Sequence, residues 1–118
     1  MEEIIAKLKE YLAMDTEIDF KEFDEYYRKL IEKLNSDYQE MSQEDLLNMR
    51  YVLNTVAVNA ENRSLRKDKF AKKYRKIQEK ANFWSNAITY KAKKEWGYTD
   101  STLEEADQRI DEAMRPAE

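Results

Sequence analysis

Twelve of the 21 Lys and Arg side chains of this 118-residue sequence fall between Arg63 and Lys94, a stretch that holds only two acids. Its first part reads RSLRKDKFAKKYRKIQEK, cations interleaved with aromatic rings. On a helical wheel Lys69, Lys73, Lys76, Lys80, Lys91 and Lys94 gather along one flank of the stripe that contains Trp84. Phe83 and Tyr90 fall opposite that stripe, beside Ala87 and close to Lys76 and Lys94. Lysines in a row track phosphates, and aromatic faces among cations stack bases, so this pattern suits a nucleic-acid accessory protein. The plainer alternative ranks ahead of it, because charged helix faces are usually only solvated. In that alternative the lysines face the acidic helices of the same chain or simply keep a long helix soluble, and Phe83 and Tyr90 form a second core face under the C-terminal helix. No short Gly-containing turn precedes the stretch, which argues against a helix-turn-helix reader of DNA sequence.

Acids concentrate elsewhere. Residues 1–62 carry a net charge of −8, residues 63–94 carry +10, and residues 95–118 carry −6, which leaves −4 overall. Asp15, Glu17, Asp19, Glu22, Asp24 and Glu25 form one acidic cluster, and Glu104, Glu105, Asp107, Asp111 and Glu112 form another. Carboxylates at such density can occupy a positively charged groove on another protein, the nucleic-acid channel of an enzyme included. Part of the pattern has a local cause, since acids near helix N-termini are favoured by the macrodipole.

The same inventory closes off most catalysis. With no Cys and no His there is no thiol nucleophile, no thiolate zinc site and none of the commonest general base. A single glycine, Gly97, excludes a Gly-rich phosphate loop, and its neighbours Lys94 and Trp96 do not make a calcium loop. Glu104/Glu105 and Asp111/Glu112 are adjacent in sequence and point ~100° apart on a helix, a poor arrangement for a shared acid–base site. The expectation is therefore a non-enzymatic protein with no cofactor and no metal.

Elements that must position these charges follow from periodicity. One Gly and one Pro in a chain with 42% apolar residues leave little to break a helix, so an all-α fold is expected. Residues 46–60 (LLNMRYVLNTVAVNA) hold one formal charge, Arg50. Leu46, Met49, Leu53, Val56, Ala57 and Ala60 make one apolar stripe, and Leu47, Tyr51 and Val58 a second. A helix apolar most of the way round belongs inside a bundle. Arg50 could anchor an anionic ligand in the bundle, but is expected rather to snorkel to the surface or to pair with one carboxylate and pack its stem, and Asn54, Asn59 and Asn62 to serve as interhelical hydrogen-bonders.

Helices are expected at about 2–14, 19–41, 43–62, 65–96 and 102–114, a compact bundle of four to five around 46–60 in a single domain spanning 1–118. Asp19, Ser42 and Ser101 read as N-caps, with Glu22, Asp45 and Glu104 three residues on. Residues 61–69 (ENRSLRKDK) interrupt the apolar seam, and a turn is expected there, with Ser64 as a weak cap. The seam resumes at Phe70, Tyr74, Ile77, Ala81, Trp84 and Ile88 in heptad rhythm. A helix over 65–96 would be ~48 Å long, long enough to overhang its own domain and invite a homodimer.

The N-terminus mixes Glu and Lys through its apolar residues and does not read as a signal peptide. Residues 46–60 fall short of the ~20 apolar residues a membrane span needs, so a cytoplasmic location is expected. Function is expected to be protein–protein interaction: an adaptor, or a small inhibitor or immunity-type protein of phage or mobile-element character. The candidate binding residues are Glu17, Asp19, Glu22, Asp24, Glu25, Glu104, Glu105, Asp107 and Asp111. The partner is another protein, a nucleic-acid-handling enzyme among the options, and the alternative is nucleic-acid binding by 63–94.

Overall fold

Five helices and one 3-10 turn account for nearly all of residues 1–115, the part of the chain that the computed structural model describes. They are α1 (Glu2–Leu12), α2 (Phe20–Asp37) followed by the turn Tyr38–Glu40, α3 (Gln43–Ser64), α4 (Ala71–Trp96) and α5 (Asp100–Met114). No strand occurs among the described residues, and no helix among them is long and apolar enough to cross a membrane.

α3 is the wrapped helix. Leu46, Met49, Val52, Leu53 and Ala60 are fully buried, and Leu47, Val56 and Ala57 nearly so. Val52, outside both stripes drawn from the sequence, is as buried as any of them, while Val58 of the second stripe is exposed. Neighbours therefore cover α3 on all sides near its start and on fewer near its end. The helix begins where Ser42 Oγ accepts a hydrogen bond from the Asp45 amide at 3.1 Å. Likewise the Asp19 carboxylate accepts from the Glu22 amide at 2.9 Å and starts α2.

α3 and α4 form an antiparallel hairpin, and their cross-links fix its register. Arg50 Nε donates to Thr89 Oγ1 at 2.7 Å, Ser85 Oγ donates to Asn54 Oδ1 at 2.5 Å, and Arg63 Nη1 donates to Tyr74 Oη at 3.0 Å. The connection Leu65–Phe70 is a turn, as expected, but its chemistry belongs to Asp68. That carboxylate accepts from the Phe70 amide at 2.8 Å, next to Lys67 in the left-handed region at φ 57°. Ser64 is turned inward, donating to the Glu61 carbonyl at 2.7 Å, and caps nothing.

α4 thus starts at Ala71 rather than near 65, and its 26 residues span ~39 Å. Its buried residues run from Tyr74 to Ala92, so the bundle covers most of the length of α4. Its buried positions are Tyr74, Ile77, Ala81, Ser85, Ile88 and Ala92, a spacing nearer 3.6 than 3.5. The heptad reading put Trp84 on this line; Ser85 takes the place, and Trp84 is half-buried against Tyr38 with ring centroids 5.3 Å apart. Gly97 ends the helix at φ 70°, and the Tyr98 amide reaches back to the Ala92 carbonyl at 3.2 Å.

The terminal helices close the core. α1 contributes Leu8, and Tyr26 Oη of α2 donates to the Ile4 carbonyl at 2.8 Å. α5 buries Leu103, Ala106, Ile110 and Met114. Its cap is Thr99, in a reciprocal box with Thr102, and not Ser101. Starting the helix two residues earlier places Asp100 in its first turn, where the macrodipole favours an acid.

Candidate functional site

α4 is fastened along its inner face, so its outer face is presented as a fixed ridge. Lys69, Lys73, Lys76, Lys80 and Lys94 are all exposed on or just before it. The ion pairs made by α4 are Lys91–Glu95 at 3.2 Å and Lys93–Asp100 at 2.6 Å. Among the described residues, Lys69, Lys72, Lys73, Arg75, Lys76, Lys80 and Lys94 have no carboxylate within 4 Å. The lysines therefore do not turn toward the acidic helices of their own chain.

Phe83 and Tyr90 stand on the same outer face, 62% and 64% exposed. α5 does not cover them, which overturns the second-core-face reading of these two rings. The buried line of α4 lies on its far side, and α5 docks instead through Arg50 and Tyr51 of α3. Lysines brace the rings: Lys80 Nζ lies 5.8 Å from the Phe83 centroid and Lys94 Nζ 5.5 Å from that of Tyr90. Phe83 also meets Trp84 edge-on at 5.9 Å, so an aromatic row runs from Tyr38 through Trp84 to the surface. Trp84 Nε1 is buried on this row without a hydrogen-bond acceptor. At the N-terminal end Lys69 and Lys73 sit over Phe70, and Lys73 also over Phe20; at the other end Lys91 sits over Tyr38.

The acidic candidates are used differently. Glu17 grips Arg66 with both oxygens, at 2.5 and 2.8 Å, and that contact holds its carboxyl below the usual carboxylate range. Asp19 is a helix cap, and Asp24 binds Arg28 at 2.7 Å. Asp107 receives both of its hydrogen bonds from Arg50 Nη1, at 2.9 and 2.8 Å. Asp111 accepts from Tyr51 Oη at 2.5 Å and from Arg115 at 2.9 Å; the tyrosine first and the arginine second keep its pKa low. Burial, then Asp111, pushes Tyr51 up to about 12. Glu22, Glu25, Glu104 and Glu105 make no ion pair among the described residues. Five of the nine acids thus pair or cap within the chain, whereas Lys69, Lys73, Lys80 and Lys94 of the ridge meet aromatic rings and, among the described residues, no carboxylate.

Arg50 pairs with one carboxylate, as its place in the sequence suggests. Arg63 was not legible as a buried residue. It stacks 4.6 Å from the Phe23 centroid and donates to the Ile18 carbonyl at 2.8 Å, filling a hydrophobe's place with a cation. Of the three asparagines, Asn54 alone bonds across helices; Asn59 Nδ2 donates to the Thr55 carbonyl of its own helix. No group of three or more potential metal-ligating side chains converges among the described residues.

No family model, curated protein or solved structure matches this chain. Its surface chemistry is the basis for a functional reading.

Proposed function

We propose that this chain is a non-enzymatic, cytoplasmic protein–protein interaction module that engages a negatively charged partner through the outer face of α4. One observation carries the reading: two large aromatic rings, each more than 60% exposed, are bracketed by lysines that pair with no carboxylate among the described residues. Aromatic anchors inside a charged rim are the usual anatomy of a binding patch. Charge on such a rim steers encounter and excludes wrong partners. The adaptor or small-inhibitor role keeps its place in this reading, with the working surface moved from the acidic clusters to the basic ridge.

The test compares two surface variants by capture of partners from a host lysate, with far-UV circular dichroism as the folding control. Phe83→Ala/Tyr90→Ala should abolish specific capture, and neutralising Glu22, Glu25, Glu104 and Glu105 should leave it intact. The opposite pattern refutes the assignment of the face. Nucleic-acid binding remains the second reading, favoured by the lysines beside Phe83 and Tyr90. It requires affinity for single- or double-stranded DNA that falls steeply with salt and disappears in Lys73→Glu/Lys76→Glu.

A further inference from the structure

We infer that the occupant of the α4 face is an acidic amphipathic α-helix of another protein, laid along α4 between Lys76 and Lys94. The inference rests on the reading of α4 as the working face and adds the form of the partner.

Spacing is the first argument. Within α4, Lys73, Lys76, Lys80, Phe83, Ala87, Tyr90 and Lys94 follow one another at intervals of 3, 4, 3, 4, 3 and 4 residues. All are exposed except Ala87, which is partly covered. That is the seam by which one helix receives another at a shallow crossing angle. The buried line of α4 departs from this rhythm at Ser85, so the outer seam is not a by-product of the inner one. Its apolar centre alternates large, small and large, Phe83, Ala87 and Tyr90, the order in which a small residue between two rings can receive one knob from a facing helix.

Charge is the second argument. Lys76 and Lys80 flank the centre on one side and Lys94, which donates to Tyr90 Oη at 3.3 Å, on the other; none has a carboxylate partner among the described residues, so carboxylates one turn apart on a facing helix would meet cations available to pair. A second copy of this chain fits poorly. Antiparallel pairing about Ala87 would set Lys80 against Lys94, like against like. Nucleic acid fits less well than a helix, because the surface is the convex ridge of a single helix, whereas single-strand binders supply a groove. The stretch from Lys76 to Lys94 is ~27 Å long and one helix ~10 Å wide. That is well below the ~800 Å² per partner of a stable complex, so the contact is a weak, reversible one.

Three labelled probes test this against the intact protein by fluorescence anisotropy, with Trp84 emission as a local reporter. The first is a peptide of about three heptads with Leu and Ala on the seam and Glu flanking it. A second has the same composition with the seam scrambled, and the third is an oligothymidylate. The patterned peptide should bind with a Kd on the order of 10 μM. Its affinity should fall at least tenfold in Phe83→Ala and in Tyr90→Ala, and the scrambled peptide should bind at least tenfold more weakly. Equal binding of the two peptides overturns the inference, as does tighter binding of the oligonucleotide. If that binding is lost in Lys76→Glu/Lys80→Glu, the working face survives and only the form of its partner is wrong. No binding by any probe overturns the inference as well. Proteins whose lysate capture is unaffected by the α4 variants would remove the face itself.

Discussion

Arg50 is the place to perturb first. Its side chain is 14% exposed, that of Asp107 is 32% exposed, and a single guanidinium nitrogen reaches both carboxylate oxygens at 2.9 and 2.8 Å. Its Nε is bonded to Thr89 at 2.7 Å, so one side chain of α3 ties down α4 and α5 together. Breaking a fully buried pair costs ~3–5 kcal/mol, and an exposed pair is worth ~0–1 kcal/mol. This pair lies between those limits. Arg50→Met keeps the packing of the stem and leaves a carboxylate that water can reach, for a loss of ~1.5 kcal/mol. Asp107→Ala strands the more buried cation and costs ~2 kcal/mol by the same reasoning. The double variant Arg50→Met/Asp107→Ala should recover much of this, giving a coupling of ~1.5 kcal/mol in a double-mutant cycle. Urea denaturation followed by circular dichroism measures it. With a slope of ~1.5 kcal/mol per molar, each single variant lowers the midpoint by about 1 M. Most of the coupling should persist at high salt, because a partly buried pair is screened less than an exposed one. A coupling below ~0.5 kcal/mol, or one that fades with salt, refutes the claim that this pair fastens the bundle.

Other perturbations probe the helix end and the titrating groups. Gly97→Ala meets no atom within 4 Å, so its cost is the left-handed backbone alone, ~1 kcal/mol, read as a lowered Tm with the fold kept. Asparagine at that position should lose less. Stability should be flat from about pH 5 to about pH 9 and fall on both sides. On the acid side Glu17, Asp37, Asp100 and Asp111 have lowered folded pKa values, so their contribution is present above the unfolded value, ~4, and is lost as pH drops through the folded ones. On the alkaline side Tyr51 rises to about 12, so its contribution is intact below its ordinary value of 10.0 and vanishes as pH climbs toward 12. Tyr51→Phe should shallow the alkaline limb of Tm against pH without removing it, since burial also pushes up Tyr11 and Tyr26. An unchanged limb contradicts the role given to Tyr51.

The helices were legible because hydrophobic period and caps agree, as at Asp19 and Ser42. Misreadings arose where two local signals compete within a turn of each other. Thr99 and Ser101 can both cap α5, and the one whose partner at N3 is Thr102 takes the role. Trp84 and Ser85 are neighbours, and hydropathy favours Trp; a hydrogen bond to Asn54 is what makes the small polar residue fit inside. Arg63 escaped notice for a related reason. Its aromatic hosts, Phe23 and Tyr74, come from different helices, and no one-dimensional pattern brings them together. The basic ridge was visible in the sequence as a charge map. Whether its lysines had partners within the chain was not, because that depends on how α4 is rotated against α3.

The three side-chain bonds across the α3–α4 hairpin bear on how the molecule comes apart. They join positions 50 to 89, 54 to 85 and 63 to 74. Slipping one helix past the other by a single turn, ~5.4 Å, would unmate all three at once. The hairpin therefore works like a toothed rack with one seating. It either stays engaged over its whole length or opens in a single cooperative event, and exchange of the α3 and α4 amides with heavy water should share one rate-limiting free energy.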